Sequence, residues 1–154
     1  PMTAENSSNP VLLDWQERVV AARLERDPQS IMDLIPYASF IGAETKTEDN
    51  RVLYWLDKRP SNIGNPSLPA IHGGVIGGFL ELSATIEAIY SLDIIDMPKV
   101  VDFSLDYLRP GRFKTIYARC QVLRQGKNLL NVSATAWQDD EQIPIATARC
   151  HFLI

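Results

Sequence analysis

The longest apolar helical pattern in the chain is residues 71–90, Ile-His-Gly-Gly-Val-Ile-Gly-Gly-Phe-Leu-Glu-Leu-Ser-Ala-Thr-Ile-Glu-Ala-Ile-Tyr. From Val75 to Tyr90 there is no proline, and strong helix formers are frequent enough for about four turns. At roughly 100° per residue, Val75, Phe79, Leu82, Ile86, Ile89 and Tyr90 share one broad face. Gly77, Gly78, Ala84, Thr85 and Ala88 share a second, nearly flat face, with Glu81 in its middle. Flat faces let another backbone, a second subunit or a ligand come close. A helix that is apolar round most of its surface is a buried helix.

The rest of the pattern builds around it. Asn9-Pro10 predicts a helix start, with Asn9 as cap and Pro10 at the first position. Leu12, Leu13, Trp15, Val19, Val20 and Leu24 recur at helical spacing as far as Arg26, and Asp27-Pro28 ends the run. A short second helix follows over 29–34. From Phe40 the period becomes two, predicting strands over Phe40–Glu48 and Arg51–Lys58 joined at the turn pair Asp49-Asn50. Residues 59–70 hold Pro60, Pro66 and Pro69 and read as a loop, long enough to be functional. Beyond Asp96-Met97-Pro98 come four more strands. Val100–Arg109 turns Val101, Phe103, Leu105 and Tyr107 to one side. Phe113–Arg124 does so with Ile116, Ala118, Cys120 and Val122, and Leu129–Gln138 with Leu130, Val132, Ala134 and Ala136. Ile143–Leu153 closes the chain. The links Arg109–Arg112, Gln125–Lys127 and Asp139–Glu141 are of hairpin length. The layout is two strands, a long buried helix and a meander of four, an α+β two-layer domain. A helical extension (1–37) precedes the sheet-and-helix domain (38–154) and wraps its outside or covers a channel.

Charge sharpens the picture at two points of the central helix. An ionised carboxylate in a buried place costs several kcal/mol unless paired, and no Lys or Arg stands at i±3 or i±4 from Glu81. Glu81 therefore pairs with a distant arginine, reaches solvent or faces a cavity. Glu87, near the helix edge, is read as solvated. His72-Gly73-Gly74 opens the helix, where unpaired N–H groups and the positive end of the dipole point outward. Such groups suit a developing oxyanion.

Composition mainly excludes. The 154 residues make one domain, 45% apolar and 22% charged, with a net charge of −4 that argues against a nucleic-acid surface. No apolar run reaches the roughly 18 residues of a membrane span. The first residues lack a basic stretch followed by an apolar one, so the expected location is cytoplasmic. Cys120 and Cys150 are read as small buried hydrophobes in a reducing compartment. His72 and His151 lack ligand spacing, so no metal site is expected. Arg109, Arg112 and Lys114 cluster near one turn and Arg124 and Lys127 near another. Either set is solvated turn charge or binds phosphate. Asn62 and Asn65 either build turns or hold a carbonyl or water.

His72-Gly73-Gly74 followed by an acid nine residues after the histidine resembles the hotdog-fold acyl-CoA thioesterases of the phenylacetate-degradation (PaaI) type. Thr85, one turn past Glu81, resembles the acid-plus-threonine pair of the 4-hydroxybenzoyl-CoA thioesterase branch that uses glutamate. Leu105 to Arg112 resembles the family stretch that ends its strand with an aromatic and a proline. The resemblance covers about residues 38–154. It implies a curved antiparallel sheet wrapped around the long helix, and an acyl-CoA thioesterase. In that reading the Gly73 N–H polarises the thioester carbonyl. Glu81 of a neighbouring subunit attacks it or activates water, Thr85 holds the carboxylate or the water, and His72 supports the turn. Asn65, Gly74, Arg109, Arg112 and Lys127 would contact substrate. Coenzyme A enters only as part of the substrate, without a further cofactor. The implied assembly is a homodimer or homotetramer with the active site at the subunit interface. Two departures stand out: Pro66, with Asn65 beside it, falls where that branch has Gln or Asn, and Val100 falls where some aspartate-branch relatives have serine. An acyl-thioester dehydratase or hydratase, and a non-catalytic acyl-CoA-binding protein, are the alternatives.

Overall fold

Three prolines open three helices in the computed structural model, which describes residues 10–154. They are α1 (Pro10–Leu24), α2 (Pro28–Met32) and α3 (Pro36–Ile41). A proline at the first position gives up an N–H that would have had no helical partner anyway. Asn9 lies outside the described residues, as do the side chains of Leu12 and Leu13. α1 turns Trp15, Val19 and Ala22 to the protein, whereas Val20 and Leu24 of the expected stripe face outward. α3 was not expected. Pro36 starts it and Gly42, at φ 83°, ends it in the left-handed region that favours glycine. The first strand therefore begins at Ala43 instead of Phe40.

The remaining elements are β1 (Ala43–Glu48), β2 (Arg51–Leu56), the short pair β3 (Ile63–Asn65) and β4 (Ala70–Ile71), then α4 (Gly73–Ser91), β5 (Lys99–Tyr107), β6 (Ile116–Gln125), β7 (Leu129–Trp137) and β8 (Ala146–Leu153). Asp49 and Asn50 both take positive φ, as the tight β1–β2 hairpin requires. Six strands form one antiparallel sheet in the order β1-β2-β6-β7-β8-β5. This corrects the expected meander. β6, β7 and β8 do follow one another, but β5 pairs with β8 at the edge. Residues 108–115 are thus a crossover to the middle of the sheet, not a hairpin turn.

The sheet's inner face carries the expected residues: Ile116, Ala118 and Cys120, then Leu130, Val132, Ala134 and Ala136, then Ala146, Ala148, Cys150 and Phe152, all buried. They pack on α4, whose Phe79, Leu80, Ile86 and Ile89 are sealed from solvent. This is the curved sheet around a long helix that the resemblance implies. A register shift between Val100 and Asp102 bulges β5, leaving Val101 unpaired and exposed while Phe103 and Leu105 turn inward. α1 clasps the far end of α4: Arg23 donates to the carbonyls of Ile89 and Ile94, and Trp15 Nε1 to that of Ile95. Among the described residues no helix is long and apolar enough to cross a membrane.

Candidate active site

Loop 59–72 delivers the chain to the start of α4, and Asn62 is its pin. Its side chain is buried and donates to the Ile41 carbonyl at 2.8 Å, and its own carbonyl accepts the His72 N–H at 2.8 Å. Arg59 donates to the carbonyls of Ser39 and Phe40. The loop therefore locks the end of α3 and the His72 turn into one unit. Ile71 N–H adds a bond to the Gly111 carbonyl, which ties in the crossover.

A helix start leaves four N–H groups without helical partners, here those of His72, Gly73, Gly74 and Val75. The Asn62 carbonyl takes that of His72, and His72 itself takes two: its Nδ1 accepts the Gly74 N–H at 2.8 Å, and its carbonyl accepts that of Val75. Among the described residues nothing accepts from the Gly73 N–H. His72 is thus a cap, with the proton of its neutral ring on Nε2, and Gly74 is committed to it. Gly73 alone is left facing outward. Tyr107, which sequence reasoning placed on the strand's inner face without a role, is half exposed. Its hydroxyl donates to the Gly73 carbonyl at 2.7 Å.

Glu81 is two turns further along α4 and half-buried. Its carboxylate has no hydrogen bond or ion pair among the described residues. It does lie close enough to Cys150 to help burial push that thiol up to about 12. Thr85 is buried, and its hydroxyl donates to the Glu81 backbone carbonyl at 2.9 Å, not to the carboxylate. Glu87 reverses its expectation. It is half-buried and accepts from Tyr54 Oη at 2.6 Å and Ser91 Oγ at 3.2 Å. Burial raises its carboxyl above the usual range, opposed by those bonds and by Arg51 and Arg119. The solvated reading failed because Tyr54, on β2, reaches across the core to it.

Asn65 is exposed and accepts the Ser67 N–H, so it builds the turn. Arg109, Arg112 and Lys114 line one cavity of about 380 Å³ at the crossover, beside the start of α4. Arg109 donates to the Pro144 carbonyl and Lys114 pairs with Asp139. Gln138 clamps the Arg112 backbone, leaving the Arg112 guanidinium without a partner among the described residues. Lys127 and Arg124 line a different cavity, with Asn131 and His151. They sit at the other end of the ten-residue β6, about 33 Å away. Within one chain Lys127 does not join Arg109 and Arg112.

A family model described as Thioesterase superfamily matches residues 68–145. The medium/long-chain acyl-CoA thioesterase YigI of Escherichia coli (strain K12) is 25% identical over 134 residues, covering 78% of this chain and 86% of its own. A solved structure of a protein from Chromobacterium violaceum is 38% identical, covers 90% of this chain and 96% of its own, and superposes with a TM-score of 0.74. That of a Shewanella oneidensis protein related to the thioesterase superfamily is 23% identical, covers 96% and 99%, and has a TM-score of 0.67.

Proposed function

This chain belongs to the thioesterase superfamily and is a thioester hydrolase, and we propose that it hydrolyses small-molecule acyl-CoA thioesters with Gly73 and Glu81 as the working groups. The observation that carries this reading is a pair of uncommitted groups on one helix: an N–H with no acceptor and a half-buried carboxylate with no partner. An N–H held by a rigid helix start is preorganised for the charge that builds on a thioester oxygen. Losing one such donor typically costs about 100- to 1000-fold in rate.

Eight residues separate the two groups, about 12 Å along the axis. A glutamate side chain cannot reach from there to a carbonyl bonded at Gly73. The two meet only if a second copy supplies one of them. The sheet has two edges. At β1 the Thr45 N–H is already taken by Gln29 Oε1 at 2.6 Å, whereas among the described residues no such side chain caps β5. β5 also borders both working groups, so pairing across it brings each copy's Glu81 toward the other's Gly73. The protein acts as a homodimer or as a tetramer of such dimers.

In the general-base route Glu81 takes a proton from water, and the water oxygen bonds to the carbonyl carbon while Gly73 N–H holds the oxyanion. The C–S bond then breaks, the thiolate takes the proton back, and free acid and CoA leave. In the nucleophilic route the Glu81 oxygen bonds to the carbonyl carbon and the C–S bond breaks, releasing the CoA thiolate and leaving a mixed anhydride. Water then cleaves the anhydride to free acid and the Glu81 carboxylate, its spare proton going to the thiolate. Arg112, free at the crossover, meets a coenzyme A phosphate. With Cys120 and Cys150 as free thiols, the working compartment is the reducing cytoplasm. The test is thiol release over a panel of acyl-CoAs. Wild type turns over some of them, and Glu81→Gln keeps its circular dichroism spectrum but loses nearly all turnover. Full activity in Glu81→Gln rejects the assignment.

A further inference from the structure

α3 carries two aromatic rings that its own packing does not use. Tyr37 and Phe40 stack with centroids 6.2 Å apart, yet they stay 40% and 76% exposed. Only Ala38 and Ile41 of this six-residue helix are buried. It is nonetheless held hard. Arg59 and Asn62 bond the carbonyls of Ser39, Phe40 and Ile41, and Gly42 closes the end so tightly that a Cβ there would meet the Arg59 guanidinium at 2.7 Å. The rings are therefore fixed in place, on a segment wired through Asn62 to the His72 turn.

Their place is beside Glu81. Tyr37 lies across Gly78 so closely that a Cβ on that glycine would stand 2.5 Å from the hydroxyl and 2.8 Å from Cε1. On the opposite flank Leu105 closes on Gly77, where a Cβ would stand 2.9 Å from Cδ2. Four residues on from Gly77 and three from Gly78, Glu81 leaves the helix about 40° from the first and about 60° from the second, between them. Glu81 therefore stands in a furrow whose floor is glycine. One wall is Leu105 and Tyr107 of β5, and the other is Tyr37 of α3, with Phe40 stacked on it. Apart from Glu81, none of these residues is charged. A negatively charged acyl group would be repelled there, and a short one would leave the rings wet.

We propose that Tyr37 and Phe40 are specificity residues that receive the acyl tail, which makes the preferred substrates thioesters of uncharged apolar acids long enough to pass Glu81 and cross both rings. The proposal rests on the thioesterase reading and adds the substrate class to it. Each methylene moved out of water is worth about fourfold in affinity, so chain length should show steeply in kcat/KM until the wall is covered.

The experiment compares acetyl-, butanoyl-, octanoyl- and dodecanoyl-CoA, with succinyl-CoA as the charged arm, on wild type, Phe40→Ala and Tyr37→Ala. Phe40 is so exposed that its loss removes no core packing. The expected result is a wild-type kcat/KM that rises from acetyl to dodecanoyl with succinyl disfavoured, and a dodecanoyl-to-butanoyl ratio that drops about tenfold or more in each variant. If wild type releases no thiol from any of the five, the thioesterase reading fails and this proposal with it. If wild type is active but both variants keep its chain-length ratio, only the acyl-wall assignment fails. An unchanged ratio with altered oligomer size by light scattering would overturn it too, by giving the rings to a second copy.

Discussion

Asn62→Ala is a test of whether the His72 turn is set by the loop before it. Asn62 is 4% exposed and Ile41 1%, so the alanine leaves the Ile41 carbonyl without its donor in a place water does not reach. An orphaned buried polar group costs about 1–3 kcal/mol. For a chain of this size each kcal/mol is worth about 2–4 °C in melting temperature, so the midpoint should fall by roughly 6 °C. The backbone bond from His72 N–H to the Asn62 carbonyl survives the substitution but loses its anchor on α3. The Gly73 N–H then samples directions away from the substrate oxygen, and the loss appears in kcat more than in KM, since that bond strengthens in the transition state. Thermal melting by circular dichroism and thiol-release kinetics on the same preparation read both effects. Asn62→Asp, which can accept but not donate at Oδ2, should be no better than alanine. A variant that melts lower yet keeps wild-type kcat would refute the coupling between α3, Asn62 and the oxyanion donor.

Other predictions touch different groups. Burial raises the Glu87 carboxyl, so the folded chain holds that proton more tightly than the unfolded chain. Its contribution to stability is full on the acid side and is lost as pH rises through the folded pKa. Glu87→Gln should therefore gain on wild type in melting temperature as pH rises above the ordinary glutamate value of about 4, and a gap that stays constant over that rise would contradict it. Cys150, pushed up to about 12 with burial the main cause, and Cys120, raised well above its ordinary value by burial, should both ignore Ellman's reagent in the native state and react on unfolding. Rapid native labelling of either would count against the packing. Arg112→Ala should raise KM about tenfold for an acyl-CoA but leave KM unchanged for the matching acyl-pantetheine, and equal effects on both would remove Arg112 from the phosphate.

α4 was legible because sixteen residues of unbroken periodicity overwhelm local ambiguity, and the inner faces of β6, β7 and β8 were legible because alternation survives in each strand. Strand order was not, because periodicity is local while the pairing of β5 with β8 joins residues about 45 positions apart. The Val101 bulge also hid itself: alternation read through it places Val101 on the side of Phe103 and Leu105, and only the register shift turns it out. α3 escaped because Pro-Tyr-Ala-Ser-Phe-Ile is too short for a period to show, and its ends are fixed by Arg59 and Asn62 some twenty residues later. At the candidate site, the sequence placed His72, Gly73 and Glu81 on one helix. The resemblance pointed to the Gly73 N–H, but the physical reason to prefer it to Gly74, the His72 ring capping the Gly74 N–H, is visible only in the fold. Nor could the sequence bring in Tyr37 or Tyr107, which arrive from other elements.

The central claim is that one copy's Gly73 works with another copy's Glu81. Gly73→Pro removes that N–H at a helix position where proline is at home, with Tyr107 giving way by a few tenths of an ångström. Glu81→Gln removes the carboxylate. Each protein alone should release almost no thiol. Unfolded together in equal amounts and refolded, half of the pairs are mixed and each mixed pair holds one intact site, so about a quarter of wild-type activity should return. If the mixture stays as inactive as its two components, while light scattering shows that the copies have exchanged, the shared site is wrong.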